Sequence, residues 1–159
     1  MVKRTSLEKA ECPIARSLDV FGDWWSLLII RDAFLGIRRF SEFQKSIGLA
    51  KNILTVRLRA LVDQGILKKT APASDGSAYQ EYVLTPKGRG VFPVLVALRQ
   101  WSEEFSCEGG GFKTLLVDRT NGRPVRKLEI RAEDGRLLAD GDTELRPNPA
   151  IKRRRRLSD

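Results

Sequence analysis

Apolar residues along most of this chain recur at the spacing of a helix. In residues 50–65, AKNILTVRLRALVDQG, Leu54, Leu58, Leu61 and Val62 fall on one stripe of a 3.6-residue helix. Asn52, Val56, Arg59 and Asp63 occupy the opposite face, Lys51, Thr55 and Arg57 lie on the flanks, and Gly65 supplies a stop. Upstream, Pro13 suits the first position of a helix with Cys12 near its N-cap, and Ile14, Leu18 and Phe21 repeat with helical spacing up to Gly22. Asp23 caps a second helix, in which Trp24, Trp25, Leu27, Leu28, Ile29 and Ile30 cover nearly every side. That pattern predicts a helix at the centre of the core, closed by Arg31 and Asp32 before Gly36. A short third helix follows Arg38-Arg39-Phe40, with Ser41 and Gln44 at capping-box spacing, Phe43 and Ile47 inside, and a turn at Gly48.

Beyond Gly65 the period changes to that of strands. Residues 66–73 and 79–84 read as a hairpin around a turn at 72–77, with Lys68 and Lys69 on it. Thr85-Pro86 then opens a helix predicted to run to Phe105. Its apolar set, Val91, Phe92, Val94, Leu95, Val96, Leu98, Trp101 and Phe105, is wider than one stripe, which predicts that part of it meets a second subunit. Pro93 should kink or delay this helix, at up to ~3 kcal/mol if it sits mid-helix. Gly109-Gly110-Gly111 reads as a linker, Asn121-Gly122 and Asp134-Gly135 as turns, and Pro147-Asn148-Pro149 as the end of the ordered part. The expected division is a flexible N-terminus at 1–11, a DNA-binding and dimerisation domain at 12–106, a small β-rich appendage at 112–150, and a disordered basic tail at 151–159. The fold class is mainly α with a small β wing. A short helix, a glycine turn, an amphipathic helix and a basic hairpin in this order make a winged helix-turn-helix.

Composition narrows the chemistry. The 159 residues are 42% apolar and 31% charged, a globular composition, and 29 basic against 20 acidic side chains leave a net charge of +9. Such a balance favours polyanionic partners, nucleic acid first. Without any histidine, Ser/His and Cys/His nucleophilic machinery and most zinc sites are excluded, and two cysteines are too few for a disulfide scaffold. No metal, cofactor or enzymatic activity is expected. No signal-like apolar segment precedes Cys12, and the longest apolar run, residues 91–98, is far shorter than a membrane span, so the cytoplasm is expected and the membrane is not. Trp24, Trp25 and Trp101 read as core, and Gly88 with Gly90 is a stray GxG rather than a nucleotide site.

The helix at 50–65 is the candidate reading element, against the alternative of a plain solvated face. Arg59 has the reach for a bidentate guanine contact, Asn52 and Thr55 can read or position, and Val56 can meet a thymine methyl. Lys51 at the helix start suits a phosphate. Arg57 serves either the groove or a structural ion pair. Arg38 and Arg39 clamp backbone phosphates or lie on a solvated turn. Lys68, Lys69 and the tip at 74–77 reach the backbone or minor groove, although Asp75 opposes this. Residues 152–156 are either a phosphate-binding arm or solubilising charge. A protein-interaction module without sequence-specific DNA binding is the alternative function.

Two segments also carry a family likeness. CPIARSLDVFGDWWSLLIIRDAFLGIRRFSEFQKSIGLAKNILTVRLRALVDQGIL and YVLTPKGRGVFPVLVALRQW resemble the HxlR-type bacterial transcription regulators, relatives of the MarR winged helices, over residues 12–105. The resemblance implies a homodimeric regulator, in its simplest form a repressor, on a pseudo-palindromic double-stranded operator. It implies a seam formed by the first and last helices, with Ile14, Leu18, Leu95, Leu98, Trp101 and Phe105 as the interface. It further implies an electrophile or small-molecule inducer, with Cys12 as the sensing thiol. The helix N-terminus beside Cys12 favours an anionic sulfur, Glu8 and Glu11 oppose it, and a small buried residue is the competing role. This chain departs from the family in having Val56 where a polar side chain is frequent, and in lacking the tail cysteine pairs that would build a zinc ribbon.

Overall fold

Asp23 fixes where the central helix begins. Its carboxylate accepts the Ser26 amide at 2.9 Å and the Ser26 hydroxyl at 2.7 Å, satisfying donors that a helix start leaves unpaired. The computed structural model describes residues 6–71, 79–106 and 111–149. Within them the chain forms α1 (Pro13–Phe21), α2 (Trp24–Phe34), α3 (Phe40–Ile47), α4 (Lys51–Asp63), β1 (Leu67–Thr70), β2 (Glu81–Leu84), α5 (Pro86–Arg89) and α6 (Phe92–Phe105). Helix α2 packs against both α3 and α4, and its Ile29 and Ile30 meet Phe43, Leu54, Leu58 and Leu61 in the core. Ile66, Leu67, Leu84 and Val91 close that core from the hairpin side. The strands pair antiparallel, Leu67 opposite Leu84 and Thr70 opposite Glu81. Together they give a mostly helical unit with a two-stranded wing. Contacts divide the chain into units at residues 1–111 and 112–159.

Several local expectations are corrected. Helix α3 is not capped by Ser41 and Gln44. Arg39 is the N-cap, and the Glu42 carboxylate reaches back to accept the Arg38 and Arg39 amides at 3.2 and 3.0 Å. Those two amides, Arg39's first, hold the Glu42 carboxyl below its usual 4.5. Helix α2 continues to Phe34, past Asp32, whose buried side chain has its Oδ1 2.6 Å from Arg31 Nη2. Trp24 and Trp101 are not core: they are 70% and 60% exposed, and of the three tryptophans Trp25 alone packs against the buried cluster.

The predicted helix over 86–105 is two helices. Thr85 accepts the Gly88 amide through Oγ1 at 3.0 Å and donates from the same hydroxyl to the Gly65 carbonyl at 2.6 Å, so α5 is pinned as a single turn against the end of α4. The chain restarts at Phe92, which places Pro93 in the first turn of α6, where its missing N–H leaves no bond unmade. No kink results. Gly88 is required by the close approach: a Cβ there would lie 2.2 Å from the Ile66 carbonyl oxygen.

The second unit turns at Asn121-Gly122, where the Gly122 amide bonds the Asp118 carbonyl at 2.7 Å and φ of Gly122 is 70°. Pairing there consists of single bridges, Val117 with Pro124 and Arg131 with Leu137, beside a 3₁₀ turn at Asp140–Asp142. Extended strands do not form around these turns among the described residues. The wing turn at 72–77 with Asp75, Cys107, Gly109, Gly110 and the basic tail lie outside the described residues.

Candidate nucleic-acid interface

Helix α4 separates its two roles by face. Leu54, Leu58 and Leu61 are fully buried, each burial stabilising by about 1.5–3 kcal/mol, while Lys51, Asn52, Thr55, Val56 and Arg59 are exposed on the far side. Val56 is 62% exposed, an apolar side chain left in water at the centre of a polar face. Thr55 turns its hydroxyl back to the Lys51 carbonyl at 2.7 Å. Arg59 lies 3.9 Å from Asp63 one turn on, with 84% of its side chain in solvent, a pair weak enough to exchange for another acceptor.

Arg57 points elsewhere. Its Nη1 lies 3.2 Å from Asp23 Oδ2, binding α4 to the capping residue of α2, and its Nε is buried. Of the two roles open to it, the structural ion pair is the one formed here.

Arg38 and Arg39 precede α3 and meet the wing. The Tyr82 amide donates to the Arg38 carbonyl at 2.9 Å, extending the β2 hydrogen bonding onto this segment. Glu81, 7% exposed, faces both guanidinium groups: Arg38 Nη1 is 3.7 Å from its Oε2 and Arg39 Nε 3.9 Å from its Oε1. About half of each arginine side chain remains in solvent. Lys68 and Lys69 stand exposed on β1, Lys69 Nζ lying 5.8 Å from the centroid of the Tyr82 ring. Burial raises the Tyr82 hydroxyl above its usual value of 10.0. Sequence reasoning missed Glu81. Its signal was a carboxylate at the start of the returning strand, on a hairpin that sets Asp75 and Glu81 against Lys68 and Lys69.

The candidate seam residues divide. Ile14, Leu18, Leu98, Trp101 and Phe105 are exposed, at 71%, 47%, 48%, 60% and 66%. Leu95 is half-buried against the chain's own core, because it lies one helical turn from the buried Val91. Cys12, at the N-cap of α1, is exposed, so the buried role considered for it is not the one observed. Among the described residues no group of three or more His, Cys, Asp or Glu side chains is placed to hold a metal ion, and no helix is long and apolar enough to cross a membrane.

Residues 20–109 match the family model described as HxlR-like helix-turn-helix. An HTH-type transcriptional regulator of Mycobacterium tuberculosis is 32% identical over 139 residues, 87% of each chain. The crystal structure of PA1607, described as a candidate transcription factor, is 51% identical and superposes with a TM-score of 0.85, covering 91% of this chain and all of that one. The redox regulator HypR in its reduced form is 29% identical with a TM-score of 0.52, over 58% of this chain and 91% of its own.

Proposed function

The chain belongs to the HxlR-like helix-turn-helix family of DNA-binding transcriptional regulators, which are not enzymes, and on that premise we propose that it is a homodimeric repressor of a pseudo-palindromic operator. The observation that carries this reading is the division of α4, whose inner leucines are sealed while Asn52, Thr55, Val56 and Arg59 are exposed on the outer face, the side that would enter a major groove. In this reading Lys51, Arg38, Arg39, Lys68 and Lys69 hold phosphates on either side of that groove. Two α4 helices lie about 34–36 Å apart across the dimer, matching half-sites about ten base pairs apart. Ile14, Leu18, Leu98, Trp101 and Phe105 form the seam, and Cys12, exposed beside it in sequence, is the thiol through which an electrophile acts. HypR, named a redox regulator and known in reduced and oxidised forms, supports that last assignment.

In vitro selection of bound DNA, followed by affinity measurements over a salt series, tests the reading. A steep negative salt slope is expected, because each phosphate contact releases condensed counterions, and Lys68→Ala or Arg39→Ala should each flatten it by about one unit. Failure to enrich any sequence would favour the protein-interaction module instead. Diamide treatment should release wild-type protein from the selected site and leave Cys12→Ser bound. Equal responses of the two proteins would remove Cys12 as the sensor.

A further inference from the structure

We infer that Glu81 is a positioning residue for DNA binding, holding Arg38 and Arg39 together as one phosphate clamp fixed to the wing. The inference rests on the reading that these two arginines contact phosphate. Adjacent long side chains at the start of a helix are expected to sweep independently through solvent, and each must be ordered on binding. Here the segment is held from three directions. The Glu42 carboxylate accepts from both backbone amides, the Tyr82 amide donates to the Arg38 carbonyl, and Glu81 places one carboxylate oxygen toward each guanidinium, at 3.7 and 3.9 Å. Glu81 is itself nearly buried and sits in β2, whose register with β1 fixes it opposite Thr70, so its carboxylate is a rigid anchor. The separations are too long for tight hydrogen bonds, and a guanidinium has five N–H donors, so each arginine retains an outward edge for a phosphate oxygen.

The arrangement also accounts for a nearly buried carboxylate set beside two arginines in a candidate DNA interface. Elementary electrostatics makes a carboxylate near DNA repulsive, so removing it should tighten binding. Positioning predicts the opposite sign.

The test measures affinity of the full chain for a DNA site selected against wild-type protein, using Glu81→Gln, the double variant Arg38→Ala/Arg39→Ala, and the triple combination. Glu81→Gln is expected to bind about tenfold more weakly, although it removes a negative charge, because two side chains must then be ordered at the moment of contact. In the double-variant background the same substitution is expected to change nothing, a coupling that a general loss of structure would not produce. Equal or tighter binding by Glu81→Gln, with the double variant weakened, would overturn the inference and leave the phosphate reading standing. Wild-type affinity in the double variant would overturn both. Should Glu81→Gln fail to fold, Glu81→Asp, which keeps the charge but withdraws it by a methylene, carries the same comparison: a loss confined to the intact arginine pair supports positioning, and unchanged affinity refutes it.

Discussion

Two arginines on one helix, two positions apart, do different work. Arg57 reaches Asp23 at 3.2 Å and ties α4 to the start of α2, whereas Arg59 keeps 84% of its side chain in water. Arg59→Ala is therefore expected to weaken specific binding by about 1–3 kcal/mol and to relax choice at one base pair per half-site. An unchanged selection profile would contradict that assignment. Arg57→Ala should lower the melting temperature instead and leave the profile alone, since the change removes an internal bond and no outward one. From sequence Arg59 falls on the outer face and Arg57 on the flank, and the 3.6-residue period leaves the flank residue open to either the groove or an internal ion pair. What separates them is Asp23, 34 positions earlier in the chain. Glu81 was hidden for the same reason: its meaning depends on arginines 42 and 43 residues away, brought near by the wing.

Elements were more legible than contacts. The α4 stripe, the caps at Asp23 and Thr85 and the turns at Gly48 and Gly65 were all readable, since each rests on short-range geometry that sequence spacing records directly. The break between α5 and α6 was not, because it depends on Thr85 and Gly88 docking against Gly65 and Ile66 from a distant part of the chain. Capping at α3 offers a test at this scale. The Glu42 carboxyl is held below 4.5 by the Arg39 and Arg38 amides, so its folded value is lower than its unfolded one. Its stabilising contribution is thus fully present above 4.5 and disappears as pH falls through the lowered folded value. Glu42→Gln is expected to melt below wild type at neutral pH, with the gap closing as pH drops below 4.5; a gap independent of pH would show that the carboxylate charge is not what caps α3.

At the scale of the whole molecule, the hydrophobic pattern marks which residues are apolar but not whether the chain's own core or a partner covers them. Apolar periodicity is the same for a core and for an interface, so from sequence Trp101 fits both and Trp24 fits a core, and both are exposed in the single chain. Under the proposed dimer, Trp101→Asp or Leu98→Asp should convert a dimer seen in sedimentation into a monomer and reduce operator affinity as a consequence. A wild-type chain that sediments as a monomer at micromolar concentration would remove the seam from the proposal. The division of α4 has a consequence for the history of such a molecule. Leu54, Leu58 and Leu61 hold the fold, while Asn52, Val56 and Arg59 project away from it, and the two sets share no side chain. Exchanges at exposed positions of this kind shift stability by only about 0.5 kcal/mol. If that outer face reads DNA as proposed, a daughter copy left by gene duplication can wander to a new address on the chromosome through a few substitutions there, with the inherited architecture left unpunished.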